Sequence, residues 1–307
     1  MSPSAARPIP SAIGSAATTR GALIAELTGL LVGARHEACF IADEVLGRAG
    51  SDASAVSSGS ATVARALAAR RRAGVPLQYV FGHWPFRGLD LVVDPRVLIP
   101  RPETEQVVEV ALAEARQLDG SGSGLRIVDA GTGSGAIALS LATELPGSQV
   151  WATDASADAL AVAAVNLERV RAGSLDVVVE LVEGSWLQPL PPELRGRIEL
   201  IVSNPPYVSE PEWDGLPDEV RAEPRRALVS ENGSDGTPGL ADVETVLTQA
   251  AAWLARPGCA VVELAPHQAE PATRVARTLG YDTVRIEPDL AGRPRMLVAR
   301  VESERRG

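Results

Sequence analysis

From Leu125 onward, short apolar segments rich in β-branched residues alternate with longer segments of helical period, and this alternation restricts the fold more than any other feature of the chain. The predicted strands cover residues 126–129, 149–153, 177–182, 198–203, 260–264, 281–287 and 296–300. Helices fit between them at 136–145, 157–172, 241–254 and 268–279. Strands alternating with crossover helices build a parallel sheet covered on both faces. The expected fold is therefore α/β, with a doubly wound, mostly parallel sheet of seven strands. Ligands of such sheets sit beyond the carboxyl ends of the strands, where the winding reverses.

The first part of the chain reads differently. Residues 1–20 contain no acid and are rich in Ser, Ala and Pro. They read as a disordered tail with a loose likeness to a transit peptide, and they lack the apolar core of a signal peptide. Between 21 and 74 the spacing is helical: Leu23, Ile24, Leu27, Leu30 and Leu31 form one apolar face, and Phe40, Ile41, Val45 and Leu46 a second. A Ser/Ala/Gly loop is expected over 51–60, followed by an Arg-rich helix ending at Arg70, Arg71 and Arg72, where cations suit a solvated helix end. From 75 to 124 a hairpin and a helix follow. Tyr79–Phe81 and Leu89–Val93 read as strands about an Arg87-Gly88 turn, and the helix opens near Pro102 with Glu103 and Glu105 in its first turn. A Gly/Ser linker over 120–124 then leads to the domain spanning 125–307.

Composition narrows the chemistry. With 29 basic and 39 acidic residues the net charge is −10, which argues against a chain held to nucleic acid mainly through phosphates. Every basic residue is Arg, so Schiff-base chemistry and a P-loop lysine are excluded. Two cysteines (Cys39, Cys259) and three histidines (His36, His83, His267) are too scattered for a disulfide framework or a metal cluster. No run reaches the ~20 apolar residues of a membrane span, and a cytoplasmic location is expected.

After the first strand of the 125–307 domain comes Asp129-Ala130-Gly131-Thr132-Gly133-Ser134-Gly135, which turns into a helix. Its glycines let the backbone approach a ligand. Gly131, Gly133 and Gly135 alternate, whereas the dinucleotide fingerprint places its last glycine three positions after the second. Asp154 ends the second strand, where an acid can accept both hydroxyls of a ribose. An acid before the glycines and another after strand two resemble the S-adenosylmethionine site of a Rossmann-like methyltransferase. Trp186, after the third strand, suits either stacking on an adenine or the apolar core.

Asn204-Pro205-Pro206-Tyr207 follows the fourth strand. The prolines supply no N–H and hold their neighbours extended. The carbonyl of Pro205 and the side chain of Asn204 are thereby left for a ligand. Such a corner suits a planar group carrying NH₂, with one hydrogen on the Asn204 side-chain oxygen, the other on the Pro205 carbonyl, and Tyr207 over the planar face. The motif is similar to that of amino-methyltransferases. By itself it leaves open adenine or guanine in a nucleic acid and an amide side chain.

A longer set of motifs carries a narrower resemblance. Residues 74–82 (Gly-Val-Pro-Leu-Gln-Tyr-Val-Phe-Gly), 98–105 (Leu-Ile-Pro-Arg-Pro-Glu-Thr-Glu), 129–135, 204–207, Glu223-Pro224 with Ala227-Leu228, and Asp289 with Gly292 and Arg293 resemble the HemK/PrmC family of peptide chain release factor glutamine N5-methyltransferases. The likeness runs from about Gly74 to the C-terminus. The chain departs from the family pattern in an expanded loop at 234–238 and at Glu263-Leu264-Ala265-Pro266, and neither departure is expected to touch the chemical residues. The resemblance implies a methyl donor, S-adenosyl-L-methionine, held by Gly131, Thr132, Gly133, Ser134, Gly135, Asp154, Trp186 and Asn204. It implies that Asn204, Pro205, Pro206 and Tyr207 hold a glutamine in the GGQ loop of a class 1 release factor, with Asn204, Pro205 and Tyr207 serving the chemistry. It also implies that the helical domain docks that protein. The nucleic-acid alternative requires a basic groove beside Asn204, for which Arg221, Arg225 and Arg226 are available among many acids.

Overall fold

The computed structural model describes residues 18–119, 124–173 and 177–302. Most of the expected tail and most of the 120–124 linker lie outside these residues. The chain divides into two compact units, one ending at Phe81 and the other beginning at Gly82.

The first unit holds β1 (Thr18–Thr19), α1 (Arg20–Leu30), α2 (Arg35–Leu46), β2 (Ala55–Val56), α3 (Ser58–Arg72) and α4 (Leu77–Phe81). Thr19 and Ser57 cap α1 and α3 through side-chain oxygens that accept from the Ala22 and Ser60 amides. Leu23, Ile24, Leu27, Ile41, Ala64 and Ala68 make the core. Four expectations need correction here. Thr18 and Thr19 are not tail but pair antiparallel with Val56 and Ala55, so 51–60 is not wholly loop. Phe40 is not a core residue, being 47% exposed. Tyr79–Phe81 is helix rather than strand. Arg70 and Arg71 are not a solvated end. Arg70 donates to the Tyr79 and Val80 carbonyls, both at 3.0 Å, and satisfies the open end of the one-turn helix α4. Arg71 forks onto Glu37 at 2.8 and 2.9 Å.

The second unit begins with the hairpin β3 (His83–Phe86) and β4 (Leu89–Val92), turning at Arg87-Gly88. It continues through α5 (Pro102–Asp119), β5 (Arg126–Ala130), α6 (Ala136–Glu144), β6 (Gln149–Asp154), α7 (Ala157–Ala172), β7 (Val178–Glu183) and β8 (Ile198–Ser203). Two single turns, α8 (Glu210–Trp213) and α9 (Asp218–Arg221), precede α10 (Ala241–Trp253), β9 (Leu254–Glu263), α11 (Ala269–Thr278), β10 (Thr283–Pro288) and β11 (Pro294–Val301). The seven strands lie in the order β10-β11-β9-β8-β5-β6-β7, all parallel except β11. Alternate residues of the central strands feed two layers. Ile127, Leu200, Val202 and Val261 join Leu112, Leu139 and Leu141 on one face, while Val128, Ile201, Ala260 and Val262 join Val243, Val246 and Leu247 on the other. Burial on both faces explains why these strands read as continuous apolar runs. Winding reverses between β5 and β8, so the carboxyl ends of those two strands mark the ligand crevice. Ser203 Oγ donates to the Ala130 carbonyl at 2.6 Å and ties the two ends together.

Candidate active site

The glycine turn leaves β5 at Gly131 and enters α6 at Gly135. Gly131, Gly133 and Gly135 all have positive φ (81°, 55° and 85°), a region that L side chains adopt at a cost. A Cβ on Gly131 would meet the Trp186 ring at 3.1 Å, so the missing side chain is what lets the indole lie on the turn. Asp154 braces the same turn from the end of β6, accepting from the Gly133 amide at 2.9 Å and the Ser156 amide at 2.8 Å. Burial raises its carboxyl above the ordinary range, opposed by these two bonds and by nearby Arg226. Asp129 is fully buried. One carboxyl oxygen accepts from Thr132 Oγ1 at 2.6 Å and the Ala138 amide at 3.0 Å, the other has no hydrogen-bond partner among the described residues, and burial lifts the group to about 7.

On α7, Asn166 pins the turn from behind. Its Nδ2 donates to the Ser134 carbonyl at 2.9 Å and the Val92 carbonyl at 3.1 Å, and its Oδ1 accepts from the Val92 amide at 2.7 Å. The end of β4 and the glycine turn are thus sewn to one side chain.

These elements enclose a cavity of about 280 Å³ lined by Gly131, Gly133, Asp154, Trp186, Asn204 and Pro206, with Arg96–Leu98, Pro224 and Arg226 at other walls. Five of the eight residues expected to hold a donor therefore line one cavity. The other three, Thr132, Ser134 and Gly135, do not: Thr132 and Ser134 are buried and shape the turn, and Gly135 opens α6. Trp186 lines the cavity and packs against the core beneath.

Asn204 and Pro206 of the Asn204–Tyr207 corner line the same cavity as Asp154, while Pro205 and Tyr207 are not among its lining residues. Nothing among the described residues donates to Asn204 Oδ1 or to the Pro205 carbonyl. Asn204 Nδ2 donates to Thr104 Oγ1 at 3.0 Å, and Thr104 Oγ1 donates to Glu263 Oε2 at 2.8 Å. Tyr207 turns its hydroxyl to the other oxygen of Glu263 at 3.1 Å, and Arg295 lies 5.9 Å over the Tyr207 ring. Glu263 is fully buried at the end of β9, and that burial raises its carboxyl, with Thr104, Arg295 and Tyr207 opposing the rise. Gln268 donates to the Tyr207 and Pro238 carbonyls at 3.0 and 2.9 Å. Gly239 fits beneath Tyr207 only because it lacks a Cβ, which would stand 2.4 Å from the Tyr207 carbonyl oxygen. Both departures from the family pattern thus do touch the corner, contrary to expectation: Glu263 through Thr104 and Tyr207, and the 234–239 segment through Pro238 and Gly239. Glu223, also buried, accepts from the Ile99 amide at 2.8 Å and pairs with Arg101, tying the 98–105 segment to the loop that follows the corner.

Sequence reasoning missed Thr104, Glu263, Gln268 and Gly239. One signal was available for Glu263, since a lone carboxylate ending an otherwise apolar buried strand must find partners.

A family model for the methyltransferase small domain matches residues 112–230. The release factor glutamine methyltransferase of Moorella thermoacetica is 44% identical over 233 residues, covering 75% of this chain and 76% of its own. That of Bordetella pertussis is 40% identical over 263 residues, covering 84% and 92%. Among solved structures, a methyltransferase from Pyrococcus furiosus aligns with a TM-score of 0.50 at 19% identity, over 70% of this chain and 90% of that one, a likeness of fold alone. With the glycine turn, the acid ending β6 and the Asn-Pro-Pro-Tyr corner gathered at one edge of a seven-stranded sheet, the chain belongs to the release factor glutamine methyltransferase family.

Proposed function

We propose that the chain methylates the side-chain amide nitrogen of the GGQ-loop glutamine in class 1 release factors, with S-adenosyl-L-methionine as donor. The observation that carries this reading is that Asn204, whose Oδ1 accepts from nothing among the described residues, lines a cavity that also holds a glycine cradle and a ribose-competent acid. The donor fits that cavity. Gly133 has open space where a Cβ would stand, Asp154 would accept its ribose hydroxyls, and Trp186, seated on Gly131, offers a flat apolar wall. When bound, the donor supplies a methyl group activated on a sulfonium, whose displacement by an amide nitrogen needs no prior ionisation of the amide.

The chain's own residues supply orientation and electrostatics. Asn204 Oδ1 and the Pro205 carbonyl accept the two amide hydrogens and direct the nitrogen lone pair. Their negative dipole ends favour the positive charge that the nitrogen gains on methylation. The proton then leaves to water. Among the described residues no strong base hydrogen-bonds Asn204, and Glu263 is linked to it through Thr104.

The nucleic-acid reading is disfavoured by the arginines it needs. Arg221 pairs with Asp218, and Arg225 pairs with Glu210 and stacks on Trp213, so two of the three candidates are already engaged. The test is to incubate the protein with methyl-labelled donor and either purified release factor or nucleic acid, then to locate the label by mass spectrometry. Label on the GGQ glutamine is expected; label on a base, or none on the release factor, overturns the reading.

A further inference from the structure

We infer that Thr104 and Glu263 are positioning residues that fix which end of the Asn204 carboxamide faces the cavity, and so make the corner select an acceptor bearing NH₂. This inference rests on the proposed function for its meaning but not for its geometry.

The argument is one of counting protons. A threonine hydroxyl carries a single hydrogen and two lone pairs. Glu263 in its carboxylate form can only accept, and its two oxygens face two hydroxyls, Thr104 at 2.8 Å and Tyr207 at 3.1 Å. The Thr104 hydrogen is therefore committed to Glu263, and its remaining capacity toward Asn204 is as an acceptor. The 3.0 Å contact to Asn204 is satisfied only when the amide nitrogen faces Thr104. The opposite rotamer would set two oxygens against each other with no hydrogen between them. An Asn side chain is otherwise free to present either end. Here the network leaves Oδ1 for the cavity, so both groups offered to a ligand, this oxygen and the Pro205 carbonyl, are acceptors. A ligand presenting a carbonyl or ring nitrogen finds no donor at the corner, whereas a primary amide nitrogen satisfies both groups.

The relay draws its three residues from three different elements. Thr104 is on α5, Asn204 follows β8 and Glu263 ends β9, and both Thr104 and Glu263 are buried. The charged and titratable groups around Glu263 are Arg295 from β11, Tyr207 from the corner and Glu103 from α5, of which Arg295 favours the carboxylate and Glu103 opposes it. If Glu263 is protonated, its new O–H competes as a donor and releases the Thr104 hydrogen. The constraint on Asn204 is then lost.

Asparagine occurs only at positions 166, 204 and 232, so selective ¹⁵N-asparagine labelling yields three side-chain amide pairs, readable without any acceptor substrate. Loss of one pair in Asn204→Ala assigns it. In Thr104→Ser the Asn204 pair is expected to keep its wild-type shift and slow exchange with water, while in Thr104→Val the shift moves and exchange accelerates. Acidification of the wild type should reproduce the Thr104→Val spectrum, and Glu263→Gln should abolish that pH response. In single-turnover methylation of whichever acceptor the wild type uses, Thr104→Val should be slower by about 10- to 100-fold at saturating donor, since small misplacements at a reacting centre have effects of this size. Thr104→Ser should stay within about threefold of wild type, a gap far below the misplacement effect. A role in packing alone gives the reverse order, because Val keeps the shape of Thr and Ser does not. An Asn204 pair unmoved in Thr104→Val, or Ser as impaired as Val, overturns the inference. A wild type that leaves release factor unlabelled overturns the proposed function and leaves the amide spectra to decide the relay.

Discussion

Replacing Asn204 with Ala isolates the contribution of one of the two acceptors at the corner. The substitution removes Oδ1 and leaves the Pro205 carbonyl, whose position is held by the proline backbone. Removing one preorganised group that meets developing charge typically reduces turnover by about 10²–10³-fold, or ~2.7–4 kcal/mol of the barrier. The fold should be little affected. Thr104 still donates to Glu263 at 2.8 Å, so no buried hydroxyl hydrogen is orphaned. What is lost is one neutral hydrogen bond, worth about 0.5–1.5 kcal/mol. Asn204 also lines the donor cavity, but Asp154, Gly133 and Trp186 remain there. Donor affinity should therefore change by no more than about threefold, under ~0.7 kcal/mol. Rapid-quench single turnovers at saturating labelled donor give the chemical step, calorimetric titration the donor affinity, and urea unfolding the stability. A chemical step within tenfold of wild type, or a slowing matched by an equal loss of donor affinity, refutes the account of the corner.

Three further outcomes are expected. Asp154→Asn should weaken donor binding by about 10- to 100-fold, since hydrogen bonds to a charged acceptor are worth roughly 1.5–3 kcal/mol. Because burial raises the Asp154 pKa, wild-type donor affinity should already fall on acidification above the ordinary aspartate range, a limb that titration calorimetry should find missing in the variant. Gly239→Ala should cost at least ~1–2 kcal/mol from its φ of +66° alone, and more from a Cβ 2.4 Å from the Tyr207 carbonyl; denaturant midpoints and turnover should fall together. Asp129, held at about 7 against an unfolded value of 3.8, is protonated in the fold and ionised in the unfolded chain between those values, so its contribution makes stability fall as pH rises through that window and level off above it. Asp129→Asn should remove that slope, a difference of at most about 1.4 kcal/mol per pH unit, and parallel stability–pH curves for the two proteins would contradict it.

The features legible in the chain are those whose cause is local. Continuous apolar runs announced strands buried on both faces, and the glycine turn and the proline-stiffened corner announced themselves by backbone chemistry. Tyr79-Val80-Phe81 misled because a short aromatic and β-branched run fits strand or helix equally. Its helical form depends on Arg70 meeting the Tyr79 and Val80 carbonyls, a tertiary contact with no local sign. Thr104 was overlooked between two glutamates that suit a helix N-terminus. Its partners stand 100 and 159 positions away and become neighbours only through the parallel register that sets β8 beside β9. Gly239 went unnoticed because nothing in its own segment reveals that the Tyr207 backbone presses on it.

The Asn166 staple has a consequence for the lining of the cavity. Shortly after β4 the chain reaches Arg96, Val97 and Leu98, which line the cavity together with Gly131 and Gly133 of the turn that the same asparagine grips. That part of the lining is consequently a fixed jamb, unable to swing without breaking three hydrogen bonds at once, one buried and two part-buried. Pro224, Arg226 and Ala227, which line the same cavity on a surface turn after the corner, lie outside that staple.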